Sequence, residues 1–330
     1  MSKEATDREC VLVSSGAISA GLGPMGLRKR PRDMPSLQAA AAVGQGHLMA
    51  LYARLFARHG VVAAQVLLTQ EDVVRRRHYV NARNTLERLL RSGAVPVVNE
   101  NDTVATEEIR FGDNDRLAAL VAVMLDADLL VLLSDVDGVY SRDPRRGRAT
   151  LLREVTDPAA VRAGGPRTRD AVGGMASKLE AAMIATAAGI PVVVARAGIR
   201  GVLGRVLDGE SVGTLLPPRA KRKRGRKAWL AFATRVRGRI LVDAGAERAV
   251  REEGSSLLAA GVSGVEGRFS SGDPVEVAGP SGEPFARGIA NYSSEELPHL
   301  SGHSSAALSA LPGGPYDREV IHRDEMVVTA

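Results

Sequence analysis

Several runs of this 330-residue chain gather residue types that could bind and move a charged group. The run Val11-Leu-Val-Ser-Ser-Gly-Ala-Ile18 carries a short aliphatic stretch straight into small residues. Small side chains at a strand's carboxyl end leave backbone N–H groups free to approach an anion, and sheets of the α/β class bind ligands at that edge. The same residues also suit a plain tight turn. Asn99-Glu-Asn-Asp102 and Phe111-Gly-Asp-Asn-Asp115 follow another aliphatic run. Each of their polar residues singly fits a cap or turn former, whereas the cluster reads as a recognition site for a small, charged, hydrogen-bonding molecule. Further on, Leu129–Leu133 leads into Ser134-Asp135-Val-Asp137-Gly-Val-Tyr140, and Gly173-Gly174-Met175-Ala-Ser-Lys178 opens a helical pattern. Glycines permit close backbone approach, a helix start favours phosphate, and Lys178 adds a mobile positive charge, so this pair of segments suggests a nucleotide site. Taken alone, GGMASK also suits a glycine turn before a surface helix.

Other patterns carry less. Gly21-x-Gly23-x-x-Gly26 has dinucleotide-fingerprint spacing, but that motif needs a strand directly before it and a helix directly after. Pro31 and Pro35 in the following RKRPRDMP block a helix on this reading, which makes the segment a flexible loop on the substrate side. No G-x-x-x-x-G-K-[ST] loop is present. His299 and His303 stand four apart, yet Pro298 and Gly302 disfavour a helix there and no thiolate or acidic partner completes a metal set, so no metal site is expected.

The elements that must position these residues follow from the apolar pattern. Cys10–Val13, Val61–Leu68, Ala94–Val98, Leu129–Leu133 and Pro191–Ala195 read as strands buried on both faces. Between them, Tyr79, Ala82, Leu86, Leu89 and Leu90 share one helical face, as do Ala181, Ile184, Ala185 and Ala188. Strand and helix alternating in this way predict an α/β fold, a mainly parallel sheet sandwiched by helices. Beyond residue 228, Ala228–Ala233, Arg239–Val242, Gly264–Phe269, Asp273–Val277 and Phe285–Tyr292 read as short strands between turn residues, with a helix near Ala246–Glu253. That is a small β-rich domain, and the Ser/Gly/Pro-rich segment from about Leu300 is expected at its periphery. Two cores agree with a length beyond that of one ordinary domain.

Hydrophobic content of 45% and charged content of 25% are ordinary globular values, with aromatics at only 3%. Six of the basic residues fall within Lys221–Lys227; removing them from the 44 leaves 38, equal to the 38 acidic residues. The net charge of +6 is therefore a local feature, read as a solvated linker, and a uniformly basic nucleic-acid surface is not implied. The single Cys10 excludes an internal disulfide and is expected as a buried thiol in a reducing compartment. No apolar run is long enough to span a membrane and residues 1–10 do not resemble a signal peptide, so a cytoplasmic protein is expected.

The motifs VSSGAI, QAAAAVGQ, AQVLLT, NARNTL, NENDTVA, FGDND, LLSDVDGVY, DPR and GGMASK, in this order, resemble those of the amino acid kinase family, in the branch that acts on glutamate. RKAWLAF, GSSLLAAGV and FSSGDPVEV resemble the PUA domain appended to many such enzymes. The resemblance implies an amino acid kinase domain over 1–218, a basic linker over 219–227, a PUA-like domain over 228–310 and a C-terminal tail over 311–330. It implies ATP-dependent phosphorylation of the L-glutamate side-chain carboxylate, the first step of proline biosynthesis, with ATP and Mg²⁺ required. Glutamate would be contacted by Ser15, Asp102 and Asn114, and the nucleotide by Ser134, Asp135, Gly173, Gly174, Met175 and Lys178. Lys178 and Asp135 would be catalytic, Asp135 by organising Lys178 and not as a proton acceptor. Homo-oligomers and a possible RNA contact through the PUA-like domain are implied as well.

Two departures from the family pattern stand out. Family members place a strand and a K-x-G-S-S turn before the strand matching Cys10–Val13; only MSKEATDREC stands there, so the kinase domain is expected to lack its first strand and that lysine. The family's G-T-G-G-M turn reads Ala171-Val172-Gly173-Gly174-Met175, which removes a hydroxyl contact to phosphate and predicts weaker ATP binding. The alternatives are a catalytically impaired kinase serving as an RNA-binding or regulatory protein, and another amino acid kinase acting on aspartate or acetylglutamate.

Overall fold

The aliphatic runs become strands here, but only Val95–Glu100 and Val192–Arg196 are mostly buried; Leu12–Val13 and most of Ala63–Leu68 are half-buried, which corrects the expectation of strands buried on both faces throughout. The computed structural model describes residues 8–69, 72–73, 76–104, 114–144, 147–161, 174–219, 236–303, 316 and 319–329. All of the expected basic linker except Arg219, the strand at Ala228–Ala233, Phe111–Asp113, Ala171–Gly173 and most of the Ser/Gly/Pro-rich segment lie outside these residues. The chain divides into two compact units, Met1–Arg219 and Ala220–Ala330.

In the first unit, β1 (Leu12–Val13), β2 (Ala63–Leu68) and β3 (Val95–Glu100) form a parallel sheet in the order β1-β3-β2. Val13 stands opposite Val98, and Leu68 opposite Glu100. A second sheet contains β4 (Leu130–Ser134), β5 (Val192–Arg196) and β6 (Thr214–Leu216), with β4 parallel and β6 antiparallel to β5. The mainly parallel pairing is as expected, though it is distributed over two three-stranded sheets.

The helices of this unit are α1 (Ala17–Leu22), α2 (Met34–Ala57), α3 (Arg76–Arg91), α4 (Asn114–Met124), α5 (Met175–Ala187) and α6 (Val202–Leu207). From Leu117 to Met124 every residue of α4 is buried, as an all-round apolar sequence requires. That helix touches β1, β3 and β4 and packs along α5, so it ties the two sheets together. In the chain it lies between β3 and β4, so Asn114 opens the helix that comes after the carboxyl end of β3.

Two expectations are corrected. Pro35 does not block a helix: it sits in the first turn of α2, where its missing N–H has no helical partner to lose, and Asp33 caps that turn by accepting from the Ser36 N–H at 2.9 Å. Cys10 is exposed, because it precedes β1 instead of lying inside it.

The contact between α1 and α2 depends on absent side chains. A Cβ on Gly44 would collide with the Ala17 carbonyl oxygen, and one on Gly21 with the Ala40 carbonyl oxygen. Both obstacles are backbone and cannot rotate aside. Gly44→Ala is therefore expected to destabilise the first unit by about 2–3 kcal/mol, seen as a lower denaturation midpoint. An unchanged midpoint would show that the two helices can part at no cost.

The second unit holds β7 (Gly238–Val242), α7 (Ala244–Glu252), β8 (Val262–Gly267), β9 (Pro274–Ala278), β10 (Pro284–Ile289), α8 (Leu297–Leu300) and β11 (Met326–Val328). Its sheet order is β11-β10-β9-β7-β8, antiparallel except for the β7–β9 pair. Ile240, Val275, Val277, Leu257 and Phe285 form its core. The last residues are not peripheral as expected: Val320 and Ile321 are fully buried and β11 closes the sheet against β10. Residues 326–328 (Met-Val-Val) are short but apolar, enough to complete an edge that the Ser/Gly-rich stretch before them disguises.

Candidate functional site

At the carboxyl edge of the first sheet, β1 runs into Ser14, Ser15 and Gly16, the last at φ +94° before α1. The Ser14 N–H donates to the Val98 carbonyl at 2.8 Å, so this turn is held level with the end of β3. Ser15 is exposed there. Ser14 is buried, its hydroxyl 2.9 Å from the Tyr52 hydroxyl. One strand over, β3 ends and the chain turns at half-buried Asp102, with the Asn101 N–H donating to the Leu68 carbonyl at 3.0 Å. Ser15 and Asp102 thus follow the ends of adjacent parallel strands.

Asn99 is 2% exposed and Gln45, from α2, is 8% exposed. The Asn99 Nδ2 donates to Gln45 Oε1 at 2.8 Å, while Asn99 Oδ1 accepts from the Glu100 N–H at 2.9 Å.

Asn114 and Asp115 begin α4. Asn114 Oδ1 is buried and has no hydrogen-bond partner among the described residues. Asp115 binds Lys178 of α5 through both oxygens: Lys178 Nζ donates to Oδ1 at 2.9 Å and to Oδ2 at 2.7 Å. Lysine and aspartate side chains are only 13% and 14% exposed, so the pair is largely removed from water. An ammonium has three N–H donors, and two directed at Asp115 leave one for another acceptor. Gly174 caps α5, and the Ser177 hydroxyl accepts from its N–H at 3.1 Å. The same hydroxyl lies 2.8 Å from the Gly174 carbonyl and 3.1 Å from Asp115 Oδ2, donating its single proton to one of them at a time. The first turn of α5, starting at Met175, therefore offers backbone N–H groups beside a held lysine, a setting suited to a phosphate.

At the carboxyl end of β4, the half-buried Ser134 has its hydroxyl 3.3 Å from Asp135 Oδ1 and accepts from the Val136 N–H at 3.4 Å. Asp135 is exposed. The expectation that Asp135 organises Lys178 is corrected: Asp115 does so, because α4 and α5 pack along each other and bring residues 63 apart into contact. Tyr140 donates to Asp137 Oδ2 at 3.0 Å; that hydrogen bond, with burial and the negative charge adding to it, holds the phenol pKa above its ordinary value.

The structure thus joins Asn114, Asp115, Gly174, Met175 and Lys178 at two facing helix starts. It places Ser15 and Asp102 on neighbouring strand ends, and Ser134 and Asp135 at the end of β4; Gly173 lies outside the described residues. Asp115, Gln45 and Asn99 were present in motifs of the sequence but without roles. For Asp115 the available signal was an acidic residue in the first turn before an apolar helix. For Gln45 it was a polar residue ending an alanine-rich run.

Parallel strands alternating with helices, with a largely buried lysine held in the first turns of a glycine-capped helix, make an α/β domain with features suited to a phosphate. Residues 2–196 match the amino acid kinase family and residues 238–311 the PUA domain, and the chain belongs to the amino acid kinase family. It is similar to the glutamate 5-kinase of Salinispora arenicola, 54% identical over 328 residues that cover 98% of this chain and 88% of that one. The glutamate 5-kinase of Streptomyces coelicolor is 52% identical, with 98% and 86% covered. That of Myxococcus xanthus is 49% identical, with 98% and 87% covered.

Proposed function

We propose that this chain transfers the terminal phosphoryl group of ATP to the side-chain carboxylate of L-glutamate, giving glutamate 5-phosphate and ADP at the start of proline biosynthesis. The observation that carries the reading is the largely buried Lys178–Asp115 pair at the start of α5, one residue along from Asn114.

The substrate carboxylate is already ionised at neutral pH, so no general base is needed. One of its oxygens bonds to the terminal phosphorus as the bond from phosphorus to the ADP oxygen breaks. What the protein must supply is placement and neutralisation of charge. Lys178, fixed by two bonds to Asp115, directs its remaining donor at a phosphate oxygen, and N–H groups of the first turn of α5 add to it. We assign Gly173, Gly174, Met175, Lys178, Ser134 and Asp135 to the nucleotide. Ser15, Asp102 and Asn114 are assigned to glutamate: a carboxylate suits its ammonium, and an amide or hydroxyl suits its carboxylate.

Magnesium fits this arrangement because it arrives on phosphates and needs at most one or two protein carboxylates; Asp135 is an exposed one at the edge of β4. When bound, the ion would neutralise charge on the triphosphate. An RNA contact through the second unit rests on the family resemblance alone; there Arg239 and Arg287 both pair with Glu276, at 3.4 and 3.0 Å. No helix among the described residues is long and apolar enough to cross a membrane. Homo-oligomers rest on the family resemblance, and a cytoplasmic location is proposed from the sequence.

The reading is tested by ADP release that depends on L-glutamate, with the acyl phosphate trapped by hydroxylamine. Equal turnover of L-aspartate or N-acetylglutamate would overturn the substrate assignment.

A further inference from the structure

Gln45 is more than nine-tenths buried, and its Nε2 has no hydrogen-bond partner among the described residues. A buried donor left unsatisfied costs folding free energy, and native structures keep few of them without a use. Its orientation is fixed by a chain of bonds that begins at the backbone. The Glu100 N–H can only donate, so the Asn99 atom facing it is Oδ1. Asn99 must then turn Nδ2 toward Gln45, and Gln45 must meet it with Oε1. The free end of Gln45 is therefore its amide NH₂.

Its place is equally defined. Asn99 follows Val98, which stands opposite Val13 and accepts from the Ser14 N–H, so Asn99 lies beside the Ser14–Ser15 turn. Gly44, one residue before Gln45, lies against the Ala17 carbonyl just past that turn. Gln45 is thus wedged between the start of α1 and the end of β3, at the edge where Ser15 and Asp102 are assigned to glutamate. An NH₂ donor at that position suits a carboxylate oxygen and rejects an ammonium. The carboxylate that reacts must turn toward Lys178 and α5, which leaves the other one for this side.

We propose that Gln45 Nε2 donates a hydrogen bond to the α-carboxylate of the amino acid substrate and so sets its specificity, with Asn99 as the positioning residue that fixes which end of the amide faces the substrate. The proposal rests on the glutamate-phosphorylating reading above.

Gln45→Glu puts an acceptor in place of that donor. The KM for L-glutamate should rise about 30- to 100-fold, with the KM for ATP within about twofold. Isoglutamine, whose α-carboxamide can donate to the new carboxylate, should close on or overtake glutamate as substrate. If this variant does not fold, Gln45→Met tests the same point: it should keep the melting temperature of the ligand-free chain within a few degrees and lose most of the rise that glutamate induces in the original chain. An unchanged KM and an unchanged preference for glutamate over isoglutamine in Gln45→Glu, or a full glutamate-induced rise in Gln45→Met, would overturn the proposal. Absence of glutamate turnover by the unaltered chain would instead strike the functional reading beneath it.

Discussion

Lys178→Met is expected to lower kcat by about 10²- to 10³-fold, while the KM for L-glutamate stays within about threefold. The lysine is the one described side chain that combines full positive charge, low exposure and a fixed place at the first turn of α5. Water-excluded charge is worth more to a transferring phosphoryl group than the same charge in solvent, because less solvent screening intervenes. Methionine matches the length of the stem and removes only the ammonium. It also takes the ammonium away from the Asp115 carboxylate, so stability falls in parallel and could be mistaken for the cause. The double variant Asp115→Asn/Lys178→Met removes both charges. It should regain much of the stability and none of the rate. Recovery of rate along with stability would show that Lys178 serves the fold alone.

Asp115→Ala makes the reverse cut and should have the largest effect on stability. It leaves an ammonium largely buried without its counter-charge and takes a partner from Ser177, an expected loss of about 3–5 kcal/mol. For a unit of this size that corresponds to a fall in melting temperature of roughly 10 °C. If phosphate meets the same lysine, ATP supplies the missing negative charge. The deficit relative to the original chain should then shrink as ATP is added. A deficit that is constant at all ATP concentrations would separate Lys178 from the nucleotide.

The parts of this fold visible in the sequence are those whose physics is local. Residues 95–98 (Val-Pro-Val-Val) read as a strand from their own β-branched run, and Ala181, Ile184, Ala185 and Ala188 read as one helical face from their spacing. What escaped were features decided across the chain. Continuous aliphatic runs mark strands, but not which edges pair, so the separation into two sheets was not legible. Pro35 misled because proline forbids helix interiors yet suits helix starts, and only the cap from Asp33 distinguishes the two. The β11 strand was hidden by the Ser/Gly-rich stretch before it.

The candidate site follows the same division. The loops that carry Ser15, Asp102 and Asn114 stood out because their polar residues exceed what turns require, whereas the choice of these three residues came from the resemblance to the amino acid kinase family. The partner of Lys178 could not, since no spacing rule links residues 63 apart, and a neighbour in the same edge, Asp135, seemed the nearer choice. Gln45 was similarly hidden: only the backbone N–H of Glu100, acting through Asn99, decides which of its two amide atoms is free.

A crystal structure of this chain with L-glutamate and a non-hydrolysable ATP analogue bound together bears most directly on the central claim. The terminal phosphate should lie within hydrogen-bonding reach of Lys178 Nζ at the first turn of α5, with the substrate's side-chain carboxylate facing it and its other end among Ser15, Asp102 and Asn114. Phosphates bound away from α5, or glutamate bound away from the ends of β1 and β3, would contradict it.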